Sequence, residues 1–159
     1  RTTRLYSGKS LSNLTSDGLV IKFEGDNLAD CSQRALLSSR LLIKLVNTAY
    51  GQRREAKQFA LKVKASILNL AELNDNDADK QLKAVLNIAK VNQILLVDDE
   101  TLLNDLKAKH QLLAFEASEE ASKAEKELKA HIVEALAMTQ EEELSGLEKR
   151  ILERKKPNV

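Results

Sequence analysis

From Leu28 onward an apolar residue falls at every seventh position without a slip: Leu28, Ala35, Leu42, Ala49, Ala56, Val63 and Leu70. Seven residues are close to two helical turns, so all of these share one face of a helix. Cys31, Leu45, Phe59, Ile67 and Leu73 fill adjacent positions of that stripe, and Val46 and Ala60 broaden it. Asp26 and Asn27 stand where an N-cap belongs. The phase runs through Gly51, which costs a helix about 1 kcal/mol relative to Ala. The pattern therefore predicts one helix over residues 28–73, bent near Gly51 and about 70 Å long at 1.5 Å per residue. Leu42, central in the stripe, is expected to be core, so that Leu42→Asp would abolish folding. Ser38, Gln52 and Ser66 interrupt the seam and argue against a strong self-zipping dimer.

The rest of the chain reads in the same period. Leu82, Val85, Leu86, Ala89 and Leu96 predict a second helix over about 78–97, entered from "NDND" with Asp75 or Asp77 as its cap. Asp98, Asp99 and Glu100 mark a break and a new start. A third helix over 100–138 would carry Leu103, Leu106, His110, Leu113, Ala117, Ala121, Ala124, Leu128, Ile132 and Ala135. Its middle, "EASEEASKAEKE", offers only alanines for burial and is its weakest part. Thr139 and Glu142 match a capping box for a fourth helix over 140–155, which Pro157 ends. Few aromatics (three Phe, two Tyr, no Trp), five Gly and one Pro fit a helical protein. The expected fold is all-α: an elongated antiparallel bundle of three to four helices, two of them long and coiled-coil-like. Residues 1–27, rich in Ser, Thr, Gly and Asn, would form an extended N-terminal arm. Within the arm "LVIKF" (19–23) is strand-like, but no other segment offers it a partner, so it would lie in a groove of the bundle.

Chemistry-bearing patterns fail on spacing. Asp75, Asp77 and Asp79 alternate like the first ligands of a calcium loop, but that loop needs Gly at its sixth position and Glu at its twelfth. Lys80 and Leu86 stand there. His110 and His131 would be about 31 Å apart on one helix and cannot share a metal. Neither has the neighbours of a zinc-protease helix or a di-iron site. "SGKS" (7–10) lacks the first glycine and the preceding strand of a phosphate loop. Cys31 is the only cysteine, which excludes an internal disulfide and suits a buried apolar role. No catalytic, cofactor-binding or metal-binding residue is expected, and the chain reads as a non-enzyme.

Charge is uneven although the net value is +1. Residues 27–70 hold eight basic and two acidic side chains (+6), and residues 71–145 hold eight basic and seventeen acidic (−9). Arg53, Arg54, Lys57 and Lys64 form a candidate basic interaction face in the first part. Near-neutral charge and sparse aromatics argue against nucleic acid. No apolar run approaches the ~20 residues that span a bilayer. Asn13-Leu14-Thr15 is an N-glycosylation acceptor pattern. A start at Arg1 fits a processed precursor or an excised piece. These features point to a secreted or surface-displayed protein, with the cytoplasm left open. The expected role is a protein-interaction module (an antigen, effector or assembly component) with a protein partner or itself. The alternative is an amphipathic-helix lipid carrier that opens its bundle.

Overall fold

A computed structural model describes residues 6, 8–10, 18–51, 63–70 and 73–154. It overturns the all-α expectation. Five helices accompany a four-stranded mixed sheet, and among the described residues there is neither a helical bundle nor a coiled coil. The elements are β1 (Lys9–Ser10), β2 (Ile21–Lys22), α1 (Leu28–Gly51), β3 (Ala65–Ile67), α2 (Asp75–Ile88), β4 (Ile94–Val97), α3 (Glu100–Lys107), β5 (Gln111–Ala114), α4 (Lys123–Glu127), β6 (Ala130–Ala135) and α5 (Met138–Arg154).

The sheet has the order β3-β4-β6-β5. β3 and β4 run parallel around the crossover helix α2, with Ala65 beside Ile94 and Ile67 beside Leu96. β6 pairs antiparallel with β4 (Leu96 beside His131) and with β5 (Leu113 beside Ile132, Ala114 beside His131). A register shift at Gln111/Leu112 marks the start of β5. One face carries the main core, in which Ile67, Ile94 and Leu96 meet Leu36, Leu41 and Ile43 of α1, Leu102 and Leu106 of α3, and Leu144 of α5. On the other face Leu95 and Ala130 meet Val85 of α2 and the adjoining Ala89.

The run Ile94-Leu95-Leu96-Val97 explains much of the correction. A surface helix needs a polar side, whereas a strand buried on both faces is apolar at consecutive positions. Ile94, Leu95 and Leu96 are all at most 3% exposed. Before this run Asn92 takes φ 70, and its N–H donates to Val63 O at 2.8 Å. Asn tolerates this left-handed backbone better than most residues, and here it turns the chain from α2 into β4.

The first helix begins where the cap residues indicate. Asn27 Oδ1 accepts from the N–H groups of Ala29 and Asp30. It does not continue to residue 73, because Val63 and Lys64 are outside any helix and Ala65–Ile67 is a strand. Nor is the heptad stripe alone the buried face, although Cys31 and Val46 on it are buried. Leu36, Leu41 and Ile43 are fully buried, while Leu42 is 37% exposed. The helix packs against α3, α5 and the sheet together, so several of its faces are covered and a single stripe does not describe it.

Later boundaries shift as well. The cap of α2 is Asn74, whose Oδ1 accepts from Asp77 N–H at 2.8 Å, with Asp75 already inside the helix. Asp99 caps α3 by accepting from Leu102 N–H. The expected helix over 100–138 breaks into α3, β5, α4 and β6, and its middle, with only alanines to bury, keeps just the short α4, which has no buried residue. Thr139 lies within α5 and is not its cap. "LVIKF" does find a partner, since Ile21–Lys22 pairs antiparallel with Lys9–Ser10.

Arg34 fastens this N-terminal segment to α1. Its guanidinium donates to Tyr6 O (3.0 Å) and Glu24 O (2.6 Å), pairs with Asp30 (2.9 Å) and lies 6.0 Å from the Phe23 ring centroid. Farther along α1, Glu141 of α5 bridges Arg40 (3.1 Å) and Lys44 (2.8 Å). Thr48 of α1 also donates to Glu148 of α5.

Candidate functional site

β5 is one outer strand of the sheet, and no described strand lies on its far side. Phe115 N–H donates to Ala130 O at 2.9 Å. Antiparallel ladders alternate, so Phe115 and Leu113 turn their backbone groups toward β6, and Leu112 and Ala114 turn theirs outward. Such a row of unpaired donors and acceptors is the template on which another strand can form.

A concavity flanks this edge on each face of the sheet. One, of about 500 Å³, lies between β5 and α3 and is lined by Leu112, Ala114, Leu103, Asn104, Lys107 and His131 among others. The other, of about 550 Å³, lies on the α2 side and includes Leu113, Phe115, Ile132, Ile88 and Ala121. α2 covers β3 and β4 but leaves this half of the sheet open. Leu113 is 53% exposed there, a large apolar side chain on a surface it shares with Phe115 and Ile132.

The first concavity also holds a carboxylate–histidine pair. Asp98 follows β4, and its Oδ1 lies 2.6 Å from Nδ1 of His131 on β6. Next to it Asn69, just beyond β3, donates to Asp99 Oδ1 at 3.3 Å. An imidazole oriented by a carboxylate is one part of a general-base arrangement. The residues lining this concavity add no hydroxyl or thiol nucleophile. Among the described residues no group of three His, Cys, Asp or Glu side chains could hold a metal ion. What the pair visibly does is tie β6 to the end of β4, beside the Asp98 N–H bond to Lys129 O at 3.0 Å.

His110 is a structural residue of a different kind. It is 5% exposed, with Nε2 3.0 Å from Gln33 Oε1 of α1 and Nδ1 accepting from Ala137 N–H at 3.0 Å. Burial, then the charge of Lys109, pulls its pKa below the ordinary histidine value. Protonation would also place a second ring proton against the Ala137 N–H. The two histidines thus stand at different strands and serve different contacts, instead of sharing one helix face.

Of the other residues singled out above, Asn13, Arg53, Arg54 and Lys57 lie outside the described residues. Lys64 is described, and its Nζ donates to Ala89 O at 3.2 Å, at the C-terminal end of α2. A cation there answers the helix dipole and the last carbonyls. Cys31 is buried and unpaired by disulfide, with Arg34 Nη2 3.4 Å from its sulfur. Asp77 and Asp79 sit in the first turns of α2, where Asn74 and Lys83 engage them. Sequence reasoning missed the β5 edge, although "KHQLLAFEASEE" places a short apolar run between a basic and an acidic flank.

No protein-family model matches this chain, and no curated protein matches it. No described helix is long and apolar enough to cross a membrane.

Proposed function

We propose that this chain is a non-enzymatic protein-interaction module whose working surface is the outer edge of β5, where it takes up an extended polypeptide strand. The observation that carries this reading is the pair of concavities on either side of the edge. A docking strand sends successive side chains to opposite faces of the sheet. Main-chain bonds to Leu112 and Ala114 would hold it, and the two hollows would select its alternate side chains. Apolar side chains suit the Leu113 side, and the other, where Leu103 and Leu112 stand beside Asn104 and Lys107, admits apolar as well as polar ones.

Selection of random nonapeptides displayed on phage, followed by chemical-shift mapping, tests the proposal. Enriched peptides should carry apolar residues at the positions that face Leu113, shift the Leu112 and Ala114 amides, and lose binding to the Ala114→Pro chain. Peptides that map elsewhere, or that bind Ala114→Pro equally well, would refute it. The lipid-carrier alternative depended on a helical bundle that opens, and draws no support from a mixed sheet with helices packed on it. We place the module at the cell exterior on the Asn13 pattern alone; an unglycosylated mass for the chain from its natural source would remove that ground.

A further inference from the structure

We infer that the strand taken up by β5 is β5 of a second copy of this chain, paired antiparallel about a twofold axis at Leu113. The inference rests on the reading of β5 as a docking edge and names its occupant. Outward backbone groups on Leu112 and Ala114 set the register. When Leu112 of one copy opposes Ala114 of the other, each such pair exchanges two main-chain hydrogen bonds, and symmetry makes the pair occur twice. Leu113 then faces its own counterpart at the closely spaced, non-hydrogen-bonded position, where side chains approach most nearly. That placement accounts for a leucine left 53% exposed beside Phe115 and Ile132.

Charge supplies an independent argument for a copy of this chain over an unrelated strand. Lys107 and Lys109 precede β5, and Glu116, Glu119 and Glu120 follow it, all on exposed residues. Antiparallel apposition of two identical edges sets the basic flank of each against the acidic flank of the other, twice. The opposite orientation would set like against like. The two open apolar surfaces around Leu113 and Phe115 would also join across the axis into one covered patch. The result is a continuous eight-stranded sheet.

The test is the mass of the whole chain by analytical ultracentrifugation over a broad concentration range, combined with amide exchange at Leu112 and Ala114. A species of twice 17.7 kDa is expected, with these two amides protected as it forms. Ala114→Pro removes an outward N–H, a position where an edge strand tolerates proline. It should give a monomer with an unchanged far-UV circular dichroism spectrum and a melting temperature that no longer depends on concentration. In case proline disturbs β5, Lys109→Glu should weaken the dimer by about tenfold, with Glu116→Lys added in the same chain restoring it. A dimer indifferent to all these changes would assemble elsewhere and overturn the inference. A chain monomeric throughout would overturn it too, and exchange then separates two cases. Fast exchange at Leu112 and Ala114 leaves the edge open to another polypeptide, whereas slow exchange shows it already covered and removes the docking reading as well.

Discussion

Ile43→Asp and Leu42→Asp introduce the same charge at adjacent positions of α1, and the two substitutions should differ several-fold in cost. Ile43 is fully buried in the cluster that includes Leu96, Leu102 and Leu144. Truncating such a side chain costs about 2–5 kcal/mol, because the surrounding atoms close the cavity only in part. An unpaired carboxylate adds several more, either as desolvated charge or as the work of protonating it. The total, about 5 kcal/mol or more, is comparable with the whole stability of many domains, ~5–15 kcal/mol. Leu42 is 37% exposed. Losing about two thirds of a leucine's burial costs roughly 1–2 kcal/mol, no closed cavity forms, and the new carboxylate stays hydrated. Urea unfolding followed by far-UV circular dichroism reads both. Ile43→Asp is expected to be unfolded without denaturant, and Leu42→Asp to fold with a modestly lowered midpoint. Equal losses, or an unfolded Leu42→Asp chain, would return the heptad stripe to the core and refute the packing of α1 described above.

Three further outcomes are expected. Arg34→Met keeps an apolar stem but loses the bonds to Tyr6 O and Glu24 O; a loss of about 2 kcal/mol and faster amide exchange over residues 18–25 should follow, with α1 unaffected. His110 has a folded pKa below its ordinary 6.5, so the unfolded chain binds its proton first as pH falls. Stability present above pH 6.5 should therefore decline through that value and level off below the folded pKa, and His110→Gln should lack this component of the urea midpoint's pH dependence. Glu141 is pushed up by burial but more strongly held down by Lys44 and Arg40, for a net lowering from 4.5. Glu141→Gln should cost about 1 kcal/mol at neutral pH, and the difference from wild type should vanish as pH falls through the lowered carboxylate value.

Local signals survived into the structure where one residue acts on its own backbone. Asn27 caps α1 and Asp99 caps α3 because a short side-chain oxygen reaches an orphan N–H regardless of what packs outside. Periodicity failed where tertiary contacts choose between helix and strand. Leu95 and Leu96 have good helix propensity, yet both sheet faces enclose them. Gln111–Ala114 contains no β-branched residue and is a strand because β6 offers it a ladder. "QILLV" and "HIVEAL" did carry a signal, a short apolar or β-branched run between polar turns, that a count in sevens passes over. The candidate edge was less legible still. That Leu112 and Ala114 point outward follows from the position of β5 as the last strand, and strand order is written in no local stretch of sequence.

His110 holds the beginning of β5 from two directions, through Gln33 of α1 and the Ala137 N–H at the entrance to α5. Fixing a backbone residue costs roughly 1–2 kcal/mol of conformational entropy. For the receiving strand that loss belongs to the folding of the domain and is complete before any partner arrives. A strand docking here would meet an edge already ordered, so its capture would be opposed by the lost rigid-body freedom of the two partners and by whatever ordering the incoming strand still required. Loosening the histidine pin would leave the edge chemically intact but make it bind more weakly, with the loss appearing as an unfavourable entropy of association.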